Sequence, residues 1–148
     1  PDMIWFKNNS VFGSVNYYVQ KMFASNVGTQ ILNTKFTGST VNENSIDVVE
    51  VKSGQLYQTT SIDSNGDIIV KLVNITGTKT NLQVIISNSK DIESKASVQT
   101  LSSATNTVKN SFSNPELVKT EESTIEVSED FNYEVPAYSL SIIRIQQK

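Results

Sequence analysis

The chain has 148 residues, a formal net charge of −3, no histidine and no cysteine. That length suits one domain with a real hydrophobic core and no need of metal or disulfide staples. Without histidine or cysteine, Ser-His-Asp and Cys-His catalysis and the usual zinc sites are excluded within the chain. The mild charge forms no basic stripe, which argues against nucleic acid as a partner. No apolar run reaches the length of a membrane span, so no membrane partner is expected. Localisation is left open between cytoplasmic and secreted bacterial: a cysteine-free chain suits the cytoplasm, but many secreted bacterial proteins also lack cysteine. Ser, Thr and Asn make up about a third of the residues, a bias toward strands and turns.

Met3 to Phe6 is a short apolar run after Pro1 and reads as a strand buried on both faces, as in a parallel sheet. Asn8 to Gly13 reads as loop. Ser14 can cap a helix reaching about Ser25. Val15, Tyr18, Val19, Met22 and Phe23 then fall on one helical face, at the spacing of a stripe packed on a core. Asn26 and Gly28 give the stop. Exposing that stripe would leave a large apolar patch, so it should dock on the rest of the chain or on a second copy.

From Thr29 the periodicity changes from helical to β. The expected strands are Gln30–Phe36, Ser45–Val51, Leu56–Ile62, Asp67–Ile75, Asn81–Ser87, Ala96–Leu101, Ser123–Val127, Phe131–Val135 and Tyr138–Ile145. Turn residues separate many of them, the pattern of an antiparallel β-sandwich of jelly-roll type. Asp63-Ser64-Asn65-Gly66 joins two of these strands, and Gly66 can take the positive φ of such a turn. Leu82, Val84 and Ile86 should face one way, and Asn81, Gln83, Ile85 and Ser87 the other. Leu140 to Ile145 is apolar on both faces in part, which marks a central strand or one covered by another domain. Residues 105–120 lack periodicity and read as a long ordered loop.

Candidate chemistry is sparse. Acidic residues such as Glu50 and Glu126 lie on strands or in turns, with no apolar surround to raise a pKa. Asp63-Ser64-Asn65-Gly66-Asp67 lacks the glycine and glutamate spacing of a helix–loop–helix calcium loop, and a hairpin turn is the better account. Trp5, Tyr57, Tyr133 and Tyr138 could stack on sugar rings, but the settings of Trp5 and Tyr138 favour packing. Asn8-Asn9-Ser10 and Asn74-Ile75-Thr76 match a glycosylation pattern that arises by chance in so polar a chain. No catalytic, cofactor-binding or metal residue is assigned.

Several segments together resemble one enzyme family. Pro1-Asp2-Met3-Ile4-Trp5-Phe6-Lys7-Asn8 and Tyr17-Tyr18-Val19-Gln20-Lys21-Met22-Phe23-Ala24-Ser25-Asn26 resemble the end of the catalytic barrel in α-L-arabinofuranosidases of glycoside hydrolase family 51. Ile68–Asn74, Asn110–Pro115 and Val135–Leu140 resemble segments of that family's C-terminal domain. Lys7 stands where an aspartate is usual, and Gly13-Ser14-Val15 replaces a common Gly-Thr-Pro.

The resemblance implies a (β/α)8 barrel followed by a β-sandwich, with residues 1–28 the last barrel strand and helix and 29–148 the sandwich. It implies a retaining exo-acting parent that releases terminal arabinofuranose from arabinan or arabinoxylan. Its catalytic glutamates would lie on earlier barrel strands, with no counterpart in this chain. Lys7 and Asn8 would lie near the rim of the active face. The chain alone is then expected to be inactive, to cover its own barrel and to support homo-oligomer contacts. The alternative is an independent carbohydrate-binding or cell-surface module. Exposed aromatics would favour that alternative, and an apolar, aromatic-poor face the docking role.

Overall fold

The computed structural model describes residues 2–34, 40–42, 45–49, 55–87 and 91–148. The chain opens with β1 (Ile4–Lys7) and β2 (Ser10–Gly13), followed by α1 (Val15–Ser25). The sandwich strands are β3 (Gln30–Ile31), β4 (Thr40–Asn42), β5 (Ser45–Val49), β6 (Leu56–Ile62), β7 (Ile68–Asn74), β8 (Thr80–Ile85), β9 (Ile92–Ser102), β10 (Glu121–Glu126), β11 (Asp130–Val135) and β12 (Ser139–Gln147). One six-stranded sheet runs β10-β9-β12-β7-β6-β3; β8 pairs with β11 and β4 with β5, all antiparallel.

The main core fills the space between the six-stranded sheet and the β8–β11 pair. Val70, Leu72, Val98, Ile143 and Ile145 from the large sheet meet Leu82, Phe131 and Val135. Leu82 is buried with Val84 and Ile86 packed beside it, while Ile85 is exposed, as the alternation in this strand requires. Tyr133 reaches across the same core, where its hydroxyl donates to Ser141 Oγ at 3.0 Å. That bond satisfies a hydroxyl on a residue with no exposed surface.

A second core lies on the opposite face of the large sheet. Met22 packs there with Ile69, Leu101, Leu140 and Ile142, and Val15, Tyr18 and Val19 pack around them. Burying a side chain as fully as Met22 contributes about 1.5–3 kcal/mol. β12 lies between β9 and β7 and is apolar on both faces because α1 covers one face and the β8–β11 layer the other. The helix starts at Ser14, whose Oγ accepts from the Tyr17 N–H, and ends at Asn26, whose N–H donates to the Phe23 carbonyl.

Two expectations fail at the N-terminus. Ile4–Lys7 is exposed along its length, not buried on both faces, and Ser10–Gly13 is a strand, not loop. The two form a hairpin with Trp5 opposite Phe12. With no parallel neighbour among the described residues, the first strand satisfies its backbone by folding back on the next four residues. Asn8 makes that possible at φ 46, a conformation asparagine tolerates better than most side chains. Elsewhere the strand limits shift by a few residues, and β9 and β12 run past the expected ends. Among the described residues of the run Gln30–Phe36, only Gln30–Ile31 is strand; residues 35, 36, 50 and 51 of the expected strands lie outside the described residues.

Candidate functional site: an apolar face at the N-terminal hairpin

Among the described residues, the β1–β2 hairpin and the loop beside it carry the largest group of exposed apolar side chains. Met3, Ile4, Trp5 and Val11 are about half exposed or more, and Phe6 is 82% exposed. The Trp5 and Phe12 rings lie 6.4 Å apart and nearly parallel, and Phe112 meets Phe12 edge-on at 4.9 Å. Leu117, on the same loop as Phe112, is also exposed. Lys7 and Asn8 stand exposed at the hairpin tip.

Two buried asparagines fix this face to the sandwich. Asn110 Nδ2 donates to the Gly13 carbonyl at 2.9 Å and the Val118 carbonyl at 2.8 Å, and its Oδ1 accepts from the Val118 N–H. One side chain therefore closes the loop on itself and ties it to the end of β2. Asn26 Nδ2 donates to the Met22 carbonyl and to Gln99 Oε1, both at 2.8 Å, which anchors the end of α1 to β9. Burial pushes the Tyr18 hydroxyl above the ordinary tyrosine range, with Glu116 adding to the shift. Burial likewise pushes the Lys71 ammonium down, and the Arg144 charge adds to that; Lys71 Nζ lies 4.9 Å from the centre of the Phe23 ring.

The described carboxylates form no hydrolytic pair in a cleft. Asp63 and Asp67 flank the β6–β7 turn, and both accept from Arg144 Nη1, Asp67 at 3.0 Å. The guanidinium hydrogen bond holds the Asp63 carboxyl below the usual range. Two acids clamped by one arginine are poorly placed to ligate a calcium ion, which agrees with the hairpin reading. Gly66 stands there at φ 90, its N–H donating to the Asp63 carbonyl. No group of three metal-ligating side chains occurs among the described residues. An open cleft of about 510 Å³ beside the end of α1 is lined by Asn26, Gln99, Glu122, Thr124 and Arg144 among others. It contains one carboxylate, Glu122, which accepts from Gln99 Nε2 at 3.1 Å. A retaining glycosidase needs two carboxyls facing one bond. Glu50 lies outside the described residues.

The four aromatic candidates do not converge. Tyr133 points into the main core, and Tyr138 packs over Gly77 in the β11–β12 turn at φ 43. Tyr57 is exposed on β6, and Trp5 belongs to the hairpin face. Asn74 is buried and cannot present its amide for glycosylation in the folded chain: Nδ2 donates to the Thr78 and Pro136 carbonyls, and Oδ1 accepts from Thr76. Asn74 and Asn110, which matter most for holding the loops, carry only a weak sequence signal. Each sits at one end of a family-like segment.

The family profile of the α-L-arabinofuranosidase C-terminal domain matches residues 1–139. The chain belongs to this family. α-L-Arabinofuranosidase 2 of Arabidopsis thaliana is 32% identical over 145 residues, 95% of this chain and 20% of that protein. α-L-Arabinofuranosidase 1 of the same plant is 28% identical over the same shares. The chain thus spans about a fifth of the length of these curated relatives. The arabinose-bound MgGH51 α-L-arabinofuranosidase matches with a TM-score of 0.83 at 24% identity, over 100% of this chain and 22% of that one. The GH51 α-L-arabinofuranosidase of Thermotoga petrophila matches at 0.80 and 18% identity, over 97% and 31%. This is the β-sandwich of the GH51 C-terminal domain, and the family-like segments are its fold-holding parts: Asn74 meets Pro136, and Asn110 meets Gly13.

Proposed function

We propose that the chain is the non-catalytic C-terminal part of a longer, retaining, exo-acting α-L-arabinofuranosidase that releases terminal arabinofuranose from arabinan or arabinoxylan. In that protein residues 1–28 are the last strand and helix of the catalytic barrel, and residues 29–148 are a sandwich that covers and stabilises it. The observation that carries this reading is the hairpin on a family C-terminal domain, which exposes apolar side chains on both of its sides. A patch of this kind on a soluble domain marks a surface that another surface covers.

The hairpin is not aromatic-poor: Trp5, with Phe12 and Phe112, lies on one side of it and Phe6, opposite Val11, on the other, and this favours the carbohydrate-binding alternative. Its remaining exposed members, Met3, Ile4, Val11 and Leu117, are aliphatic or thioether side chains with nothing to hydrogen-bond sugar hydroxyls. That composition suits packing against protein better. In the isolated chain the same hairpin drives self-association.

Phe6→Asp tests the reading. In the isolated chain it should shift sedimentation toward monomer and remove any concentration dependence of the thermal midpoint, leaving the midpoint of the dilute monomer unchanged because Phe6 is already exposed there. In the longer protein it should lower both the midpoint and the release of nitrophenol from a nitrophenyl α-L-arabinofuranoside. A longer protein indifferent to Phe6→Asp would overturn the docking role. Hydrolysis by the isolated chain that disappears on mutating one of its own carboxylates would overturn the non-catalytic role.

A further inference from the structure

The β6–β7 turn holds Asn65-Gly66, the one Asn-Gly pair in the sequence. We propose that Asn65 is a site of spontaneous deamidation, a self-modification that converts this turn residue to aspartate and isoaspartate.

The reaction needs the backbone nitrogen of the following residue to reach the asparagine Cγ. Glycine obstructs this least because it has no Cβ. Asn65 is exposed, and its side-chain amide makes no hydrogen bond among the described residues. A Cβ built on Gly66 would meet nothing within 4 Å, so the turn is uncrowded at that residue. The Gly66 N–H is held only by the Asp63 carbonyl at 3.2 Å, the long end of the N–H···O range.

The steps balance without any reagent except water. The Gly66 nitrogen loses its proton to solvent and bonds to Asn65 Cγ. The Cγ–N bond of the side-chain amide breaks, and the nitrogen leaves as ammonia after taking a proton. A five-membered succinimide is left. Water then opens it at Cγ, giving aspartate, or at the Asn65 backbone carbonyl, giving isoaspartate with one extra main-chain carbon. Ring closure within one chain segment is what makes the step accessible without a catalyst.

Among the described residues, the other asparagines followed by serine, Asn9 and Asn110, are less well placed. Asn110 precedes Ser111 but is buried with both side-chain ends engaged. Asn9 precedes Ser10, whose hydroxyl donates to the Asn9 side-chain oxygen at 3.4 Å. The product places a third carboxylate, or a lengthened backbone, in a turn where a single Arg144 already serves Asp63 and Asp67. The Asn65 and Asp67 N–H groups both donate to Asp63 Oδ1, so this clamp is the feature the change disturbs.

The full chain is held folded in warm, mildly alkaline buffer, and a second sample is held unfolded in urea. Peptide mapping and isoaspartyl methyltransferase labelling then follow the products over time. In the folded sample the label and the mass gain of exchanging NH2 for OH should appear first in the peptide containing Asn65. Asn65→Gln should abolish that early labelling, since its ring would be six-membered. Labelling that appears first at another asparagine would overturn the proposal. So would an Asn65 that reacts in urea yet stays intact in the folded chain, because the turn would then protect it.

Discussion

Replacing Asn74 with alanine should unlock one end of the sandwich. The side chain is 2% exposed and makes four hydrogen bonds that join the end of β7 to the β7–β8 and β11–β12 turns. The Pro136 carbonyl keeps a second donor in Ser139 Oγ, and the Thr78 carbonyl keeps Thr76 Oγ1. Neither acceptor is fully orphaned. The unrecovered losses are both Nδ2 bonds and the bond from the Thr76 N–H. At about 1 kcal/mol net for each, the cost is about 3 kcal/mol. For a domain of this size that lowers the thermal midpoint by roughly 6–12 °C. Asn74→Asp separates hydrogen bonding from volume. It keeps the acceptor toward Thr76 but turns an oxygen toward two carbonyls, so burial and those carbonyls raise its pKa in the folded state. A raised folded pKa gives stability that is present at low pH and lost as pH rises through it. Asn74→Asp should therefore be weakest at neutral pH and recover partly on acidification. Urea melts of the three proteins across pH provide the measurement. An alanine variant within about 0.5 kcal/mol of the parent, the range of ordinary surface substitutions, would refute the reasoning.

Asp63 gives the opposite pH signature. Its folded pKa is depressed by Arg144, so its contribution is present above the unfolded carboxylate range and lost as pH falls through the folded value. Asp63→Asn should flatten the acid limb of stability measured by thermal melts, and an unchanged limb would count against the clamp. Gly66→Val should cost on the order of 1–2 kcal/mol through its positive φ, whatever surrounds it. Gly77→Ala should cost through contact instead, since a Cβ there would stand 3.0 Å from the Tyr138 hydroxyl. Tyr138→Ala should then relieve Gly77→Ala but not Gly66→Val, and equal coupling in the two cycles would contradict this assignment.

The sandwich was legible because its signals are local. Alternation marks β8, the Asp63–Gly66 turn separates β6 from β7, and Ser14 with the Val15-to-Phe23 stripe fixes the helix. The hairpin was hidden because its turn, Asn8-Asn9, is not one of the strongest pairs and its second strand ends in glycine. The burial of Met3–Phe6 was misjudged because composition reports how apolar a strand is, not what covers it. The asparagine locks were illegible because a buried amide and a surface amide look alike in sequence. Only the fold brings Asn110 to Gly13, or Asn74 to Pro136.

The position of β12 also bears on how the chain acquires its fold. β12 bridges β7 and β9, and those two strands have no pairing with each other. Until residues 139–147 are available, the large sheet exists only as two separate pieces, β3-β6-β7 and β9-β10. Ile69, Leu101 and the helix stripe cannot share a core before then. The decisive pairings span long stretches of chain, so collapse should be slow and cooperative, with a late commitment step. On a ribosome this domain would wait for its final strand with two unfinished sheet edges exposed, the interval in which aggregation competes most strongly with folding.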